Sequence, residues 1–293
     1  MAKEHMRTWK IGKVEVTRIV EVNNHTDPLA FLLPEGGSPE LMKKYDWLFP
    51  NFATPEGDMK ISFQCFVLKA GNHRMMIDTC IGNDRKRQFD IFTNMNTSFL
   101  ADIAAADCPA EKINTVICTH LHFDHVGWNT HKVNGRWVPT FPNARYLFGK
   151  TEWEHWNKHP RDGSVEAEHL VDSLDPILAA GLADFVDGDH RITDEIRLFP
   201  TPGHTPGHVS VHISSEGKDA VITGDLMHHP VQVAVPDLKG SFDMDPPRAV
   251  QTRRDFLKHY EDRKALVIGS HFCDPTAGWI LRDGSSWRFE KGS

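Results

Sequence analysis

Residues 119–127 read Thr-His-Leu-His-Phe-Asp-His-Val-Gly, so His120, His122, Asp124 and His125 fall within six positions. They follow the apolar run Ile113-Asn114-Thr115-Val116-Ile117-Cys118, which predicts a buried strand. Side chains alternate along a strand, so His120 and His122 would face one way. Asp124 and His125 break that alternation and require a turn leaving the strand, aimed at a second point close to the first. The spacing therefore predicts two metal positions. Any one of the chain's 18 histidines, taken singly, would be an ordinary core or surface residue. Three imidazoles and a carboxylate at one strand end are different: they repel on protonation and are costly to desolvate without a cation.

The elements that must position further ligands can be read in the same way. Residues 195–199 predict a strand that ends in Pro200-Thr201-Pro202-Gly203-His204-Thr205-Pro206-Gly207-His208, with a second strand over 209–214. Proline and glycine here permit the turn that presents His204, the expected third imidazole on the first metal. His208, one residue before a strand, is expected to be structural. The strand over 219–223 ends in Asp225, a carboxylate placed to bridge two cations, and His228 and His229 follow. The strand over 265–270 ends in His271, after an amphipathic helix over 245–260 with Pro246 and Pro247 in its first turn.

Elsewhere the pattern predicts a strand or hairpin over 9–22, strands over 62–69 and 74–78 joined at Gly71-Asn72, and a short helix over 98–106. Thr151 is expected to cap a helix carrying Trp153 and Trp156, with Glu154 at its third position. These tryptophans, with Trp128, Trp137 and Phe141, are either cleft lining or core. Residues 23–60 read as an irregular segment rich in proline and glycine yet carrying Phe31, Tyr45, Trp47, Phe49 and Phe52. The expectation is a lid or pocket wall, with simple edge packing or a dimer contact as the alternative.

The chain's 293 residues can bury a substantial core, and 40% hydrophobic with 25% charged residues is ordinary globular usage. A net charge of -7 disfavours nucleic acid as a partner, since polyanion binders present a basic face. No stretch approaches the roughly 18 apolar residues of a membrane span, and the start lacks the apolar core of a signal peptide. Five cysteines, Cys65, Cys80, Cys108, Cys118 and Cys273, are odd in number and lack a Cys-x-x-Cys pair, which predicts reduced thiols in the cytoplasm, Cys273 among them as packing. The polar opening over residues 1–6 leaves Met6 as a candidate native start.

The His-x-His-x-Asp-His motif at His120 to His125, followed in order by His204, Asp225 and His271, resembles the metallo-β-lactamase superfamily. The resemblance runs from Ser62 through His271. It implies an α/β (α+β) fold, a four-layer αββα sandwich, as a single domain over 1–293. It also implies a ligand set: His120, His122 and His204 on the first metal, Asp124, His125 and His271 on the second, and Asp225 between them. Asp78 matches the family's acid beside the ligand loops, an orienting group and not a ligand. Imidazole and carboxylate donors suit two zinc ions, with iron, manganese and cobalt as alternatives.

Asp225 stands where a dizinc β-lactamase of the commonest type carries Cys, and His122 where flavin-linked diiron relatives carry Glu. The set is similar to the lactonase, glyoxalase and phosphotriesterase branches. Asp225-Leu226-Met227-His228-His229 with Phe242-Asp243-Met244-Asp245-Pro246 resembles the acyl-homoserine lactonases and methyl parathion hydrolase. Quorum-quenching lactonases commonly place Tyr shortly after the bridging Asp, where this chain has His228. That departure moves the expectation toward the organophosphate triester side.

The expected function is a dinuclear metal-dependent hydrolase opening lactones or related esters, with an organophosphate triester hydrolase and a non-hydrolytic metal-binding or iron redox protein as alternatives. Two cations roughly 3.5–4 Å apart can share a water and lower its pKa from about 16 toward 7, supplying hydroxide as nucleophile. Asp124 and Asp225 would orient it or shuttle its proton, and His228 would act as an oxyanion donor. The expected partners are a small-molecule lactone or ester and a second copy of the chain, with neither nucleic acid nor membrane.

Overall fold

The structure, a computed structural model, describes residues 6–292, excepting the side chain of Glu166. The opening residues through His5, including those preceding the candidate start at Met6, lie outside the described residues. The chain falls into two compact units. One is built from the stretch ending at Glu21 with Phe63–Asp187, the other from Val22–Ser62 with the chain from Gly188 onward.

In chain order the first strands are Thr8–Ile11 (β1), Val14–Asp27 (β2), Met59–Ala70 (β3), His73–Ile77 (β4) and Thr115–Ile117 (β5). Thr130–Val133 (β6) and Arg136–Pro139 (β7) form a separate hairpin; Arg145–Gly149 (β8) and Ala183–Val186 (β9) complete the first set. The sheet order is β1-β2-β3-β4-β5-β8-β9. From β4 to β9 the pairs are parallel, so each connection crosses over the sheet, and two of these crossovers contain the helices Phe99–Ala105 and Lys150–Trp156. β3 is buried along most of its length because it is central and covered on both faces. Its Cys65 and Val67 join Met76, Val116, Phe99, Ile103, Tyr146 and Phe148 in one apolar core.

The other unit carries Ile196–Pro200 (β10), Val209–Ser215 (β11), Lys218–Ile222 (β12), Ala265–Ile268 (β13), Ala277–Asp283 (β14) and Ser286–Lys291 (β15), hydrogen-bonded in sequence order. Only β12 and β13 pair in parallel, and the crossover between them contains the helix Pro246–Tyr260. That helix starts where the sequence predicts. Asp245 caps it by accepting from the Arg248 N–H, and prolines fill its first turn, where a missing N–H has no cost. Ala249, Thr252, Arg253, Phe256, Leu257 and Tyr260 make its buried face at helical spacing. In the same unit Phe52 packs edge-on against Phe272 and Phe289.

Several expectations need correction. Residues 23–60 are not irregular throughout: β2 runs on to Asp27, β3 begins at Met59, and between them lie short helices at Leu29–Leu32 and Pro39–Met42. Thr151 does not cap its helix. The helix begins at Lys150 after Gly149, with no side-chain cap, so Thr151 lies inside the first turn. The hairpin of β14 and β15, beyond the last candidate ligand, was not anticipated. Among the described residues, no helix is long and apolar enough to cross a membrane.

Candidate metal-ligand clusters

In the first unit, β5 stops at Ile117, the chain bends at Thr119 and His120, and His122 is the N-cap residue of the one-turn helix Phe123–Val126. This turn breaks the strand alternation and brings Asp124 and His125 back beside His120. His125 Nε2 lies 3.5 Å from Asp124 Oδ2, and the His120 and His125 ring centroids are 4.1 Å apart. The turn ends at Gly127, where a Cβ would meet the Ile81 carbonyl oxygen at 1.9 Å, so only glycine allows this close a backbone approach.

Asp78 organises the cluster from the end of β4. One of its oxygens accepts from the Thr119 N–H at 2.8 Å, the other from His125 Nδ1 at 2.9 Å. The Thr119 hydroxyl donates to Asp78 at 2.9 Å, which leaves its lone pair to accept from His120 Nδ1 at 3.2 Å. Both imidazoles are thereby fixed with the proton on Nδ1 and the lone pair on Nε2, the state a metal ligand requires. His120 Nε2 lies 3.0 Å from His122 Nδ1. A tetrahedral cation with bonds of about 2.05 Å holds its nitrogens about 3.3 Å apart, so this pair fits a shared cation.

Two acids that sequence reasoning passed over also brace this turn. Buried Glu152 accepts from the Leu121 N–H at 3.0 Å and from Trp156 Nε1 at 2.7 Å, and the Trp156 ring stands edge-on to His122 with centroids 5.5 Å apart. Glu21 accepts from Trp128 Nε1 at 2.6 Å and from the Ile81 N–H at 2.7 Å. Burial raises the Glu21 carboxyl above its ordinary value, with these hydrogen bonds opposing. Farther along, Asp172 takes both Arg85 and Arg87 at 2.7 Å. Burial works to raise its pKa, yet the two guanidinium groups hold it below the ordinary value.

In the second unit, the candidate ligands come from three loops. His204 follows β10 in a turn whose Gly203 has φ +135°; a Cβ there would meet the Ala249 nitrogen at 2.3 Å. The turn therefore sits directly on the start of the Pro246–Tyr260 helix, where Met244 and Asp245 N–H groups donate to the His204 and Gly203 carbonyls at 2.9 Å. Asp225 follows β12, and His271 follows β13. Asp225 faces a different imidazole with each oxygen: Oδ1 is 3.2 Å from His271 Nε2, and Oδ2 is 3.5 Å from His204 Nε2 and 3.2 Å from His228 Nε2. His204, Asp225 and His228 offer ligand atoms all within 4.8 Å of one another.

The far nitrogens here are committed as in the first unit. His204 Nδ1 donates to Asp243 at 3.1 Å and His271 Nδ1 to the Ser62 carbonyl at 3.0 Å, leaving each Nε2 lone pair toward Asp225. His208 is occupied at both nitrogens: Nε2 accepts from the Asp225 N–H at 2.8 Å, and Nδ1 donates to Thr201 at 2.9–3.0 Å. It shapes the Asp225 loop and offers no free lone pair, as the sequence suggests. His229 faces away, donating from Nε2 to the Phe52 carbonyl at 2.7 Å and accepting the Val231 N–H at Nδ1. Burial pushes it down to about 4. Burial also lowers His228, against the opposing charge of Asp225.

Each unit thus gathers its own predicted residues: His120, His122, Asp124 and His125 in one, and His204, Asp225, His228 and His271 in the other. Buried imidazoles oriented by carboxylates, hydroxyls and carbonyls are the donor set of a divalent transition metal. Asp243, which bonds His204, and Glu152, which braces the turn after His120, are residues of these clusters that sequence reasoning missed. Asp243 lies inside a stretch whose sequence drew notice, but a lone acid there has no signal that pairs it with His204.

The sequence and the fold have known counterparts. An N-acyl homoserine lactonase of Bacillus cereus is 23% identical over 181 residues, 58% of this chain and 65% of that protein. One from Bacillus thuringiensis is 29% identical over 107 residues, 36% of this chain and 35% of the relative. The chain thus spans less than two thirds of the length of these relatives. Among solved structures, AidC, a dizinc quorum-quenching lactonase in complex with an N-acyl-homoserine product, aligns with TM-score 0.80 and 24% identity over 98% of this chain and 97% of its own. The hydrolase AbOPH of the β-lactamase superfamily aligns with TM-score 0.80 and 23% identity over 99% and 98%. The fold is that of these neighbours. The family model of the metallo-β-lactamase superfamily matches residues 64–271, a span that contains every candidate ligand found in both units, and the chain belongs to that superfamily.

Proposed function

We propose that this chain is a dinuclear metal-dependent hydrolase that opens lactones or cleaves related esters. The observation that carries the reading is the shared state of the imidazoles: His120, His125, His204 and His271 each commit Nδ1 to an acceptor and keep the Nε2 lone pair. In the proposed assignment, His120, His122 and His204 would hold one cation and Asp124, His125 and His271 the other, with Asp225, whose two oxygens face different imidazoles, serving both. The donor set favours zinc.

Divalent cations held by these residues would supply Lewis acidity, lowering the pKa of water toward neutral and polarising the scissile carbonyl or phosphoryl group. The chain's own groups do the remainder. Asp124 and Asp225 hold and move the proton of the attacking water. His228, with Nε2 3.2 Å from Asp225 Oδ2, donates to the substrate oxygen that gains charge. Loss of such a donor lowers kcat by about 10²–10³, and His228→Ala with unchanged kcat/KM on the best substrate would remove that role.

A second reading, phosphotriester hydrolysis, is favoured by His228 standing where lactonases commonly place Tyr. Proton release at constant pH by metal-loaded protein, offered an acyl-homoserine lactone, a simple lactone and a phosphotriester side by side, decides between them. Fast lactone opening establishes the lactonase; preference for the phosphotriester establishes the second reading; no release from any of the three by protein holding two metals sinks both.

The same proposal keeps the whole chain as one functional domain with residues 23–60 as a pocket wall or dimer contact, supported by Phe31, 46% exposed and packed edge-on against Phe242. Five buried free thiols support a cytoplasmic setting.

A further inference from the structure

We infer that Asp243 and Arg253 are positioning residues for His204, and that Arg253 ties the His204 loop to the loop that presents Asp225. The inference rests on the metal-binding reading above. Asp243 is buried and divides its oxygens: Oδ1 accepts from His204 Nδ1 at 3.1 Å, and Oδ2 accepts from the Gly240 N–H at 2.9 Å. A carboxylate on the far nitrogen of a ligating imidazole fixes its tautomer and ring plane and makes the free nitrogen a stronger donor.

A buried carboxylate is costly unless balanced, and Arg253, wholly buried on the Pro246–Tyr260 helix, stands 3.7 Å from Asp243 Oδ2. Burial pushes Arg253 down to about 10, with Asp243 opposing, so it is still a cation at neutral pH. Its fork does more than neutralise. Nε donates to the Leu226 carbonyl at 3.0 Å, and one terminal nitrogen donates to the Pro236 and Leu238 carbonyls, both at 2.7 Å. Leu226 directly follows Asp225, so one guanidinium holds the backbone beside the bridging acid while it faces the carboxylate that orients His204. A lysine could balance the charge but could not span three carbonyls.

The test is zinc uptake by the full chain, freed of metal and titrated against a chromophoric chelator, with the d–d absorption of the cobalt-loaded protein as a second readout. Wild type is expected to take two equivalents. Asp243→Asn keeps the volume and an acceptor but loses the charge; one equivalent is expected to bind 10–100-fold more weakly, with an altered cobalt spectrum and the second equivalent unchanged. Arg253→Lys, which leaves Asp243 in place, reads the same equivalent should Asp243→Asn fail to fold, and a several-fold loss is expected. A merely structural role would lower the unfolding midpoint and leave zinc affinity and cobalt spectrum of the folded protein untouched, and that result overturns the inference. If wild type takes up no metal, the dinuclear reading itself fails; if wild type takes two equivalents and both variants match it, only the inference fails.

Discussion

The two units collect metal-competent side chains by opposite means. In the first, one continuous stretch, His120 to His125, supplies all the candidate ligands, and a single turn of helix aims them. In the second, His204, Asp225 and His271 come from separate loops that follow β10, β12 and β13. The first arrangement is encoded locally, because a strand end and one turn fix the relative directions of the rings. The second exists only once the sheet has formed, since strand register, together with side chains such as His208 that bond from one loop to the next, brings the three loop ends together. Both units nevertheless use the same chemical device, a hydrogen bond from Nδ1 that keeps the lone pair on Nε2; its acceptors are Thr119, next to His120, and Asp78, Asp243 and Ser62, distant in sequence from His125, His204 and His271.

The comparison breaks most sharply at the ligands themselves. If the local and the dispersed set serve one function, His122→Ala and Asp225→Ala should each lose metal and lower kcat/KM by roughly 10³-fold or more, equivalent to about 4 kcal/mol of transition-state stabilisation. Metal analysis beside kinetics checks this. Full activity in either variant without metal would leave one of the two clusters with no part in the chemistry.

The next effect separates support from chemistry in the first unit. Asp172→Ala leaves the buried guanidinium groups of Arg85 and Arg87 uncompensated, and such a loss costs about 3–5 kcal/mol. Denaturant unfolding of the variant should show it. Because the Asp172 pKa is lowered in the folded protein, its contribution is present above the ordinary value of 3.8 and fades as pH falls through the folded value. Wild type should therefore lose, in strong acid, stability that the variant already lacks.

In the second unit the corresponding acid sensitivity begins at higher pH. His229 is neutral and buried with a folded value of about 4 against an ordinary 6.5. The unfolded chain binds the extra proton across that window, so stability is full above 6.5 and falls as pH drops toward 4, by about 3 kcal/mol. His229→Gln should flatten this part of the stability curve. An unchanged slope between pH 6.5 and 4 would show that another group carries it.

How much of this could be read beforehand follows from the same contrast. The strands that end in candidate ligands were legible because each is a short apolar run closed by glycine, proline or a polar residue: β5 before Thr119, β12 before Gly224-Asp225, β13 before His271. His208 was legible as structural, and both of its nitrogens prove to be taken. The capping role expected of Thr151 failed because the helix starts one residue earlier, at Lys150, directly after β8, and needs no side-chain cap there. Residues 23–60 looked irregular because proline and glycine mask the end of β2 and the short helices between β2 and β3. Asp243, Arg253 and Glu152 had no local signature: an acid or arginine on a helix or loop looks solvated until the fold buries it against a particular imidazole or carbonyl.

Glu152 gives the smallest effect and the finest discrimination. It is the first unit's counterpart of Asp243, but it acts one step further from the metal-competent atoms, on the Leu121 backbone and on the indole that packs against His122. Glu152→Gln keeps an oxygen that can accept from both groups, and the charge assistance of these two hydrogen bonds is lost, about 1 kcal/mol. The expected result is a small drop in unfolding midpoint and at most a few-fold loss of zinc affinity, well short of that expected for Asp243→Asn. A loss as large as in Asp243→Asn would mean that the His122 ring is held by its packing as firmly as His204 is by its carboxylate. The local motif would then depend on the surrounding fold no less than the dispersed one does.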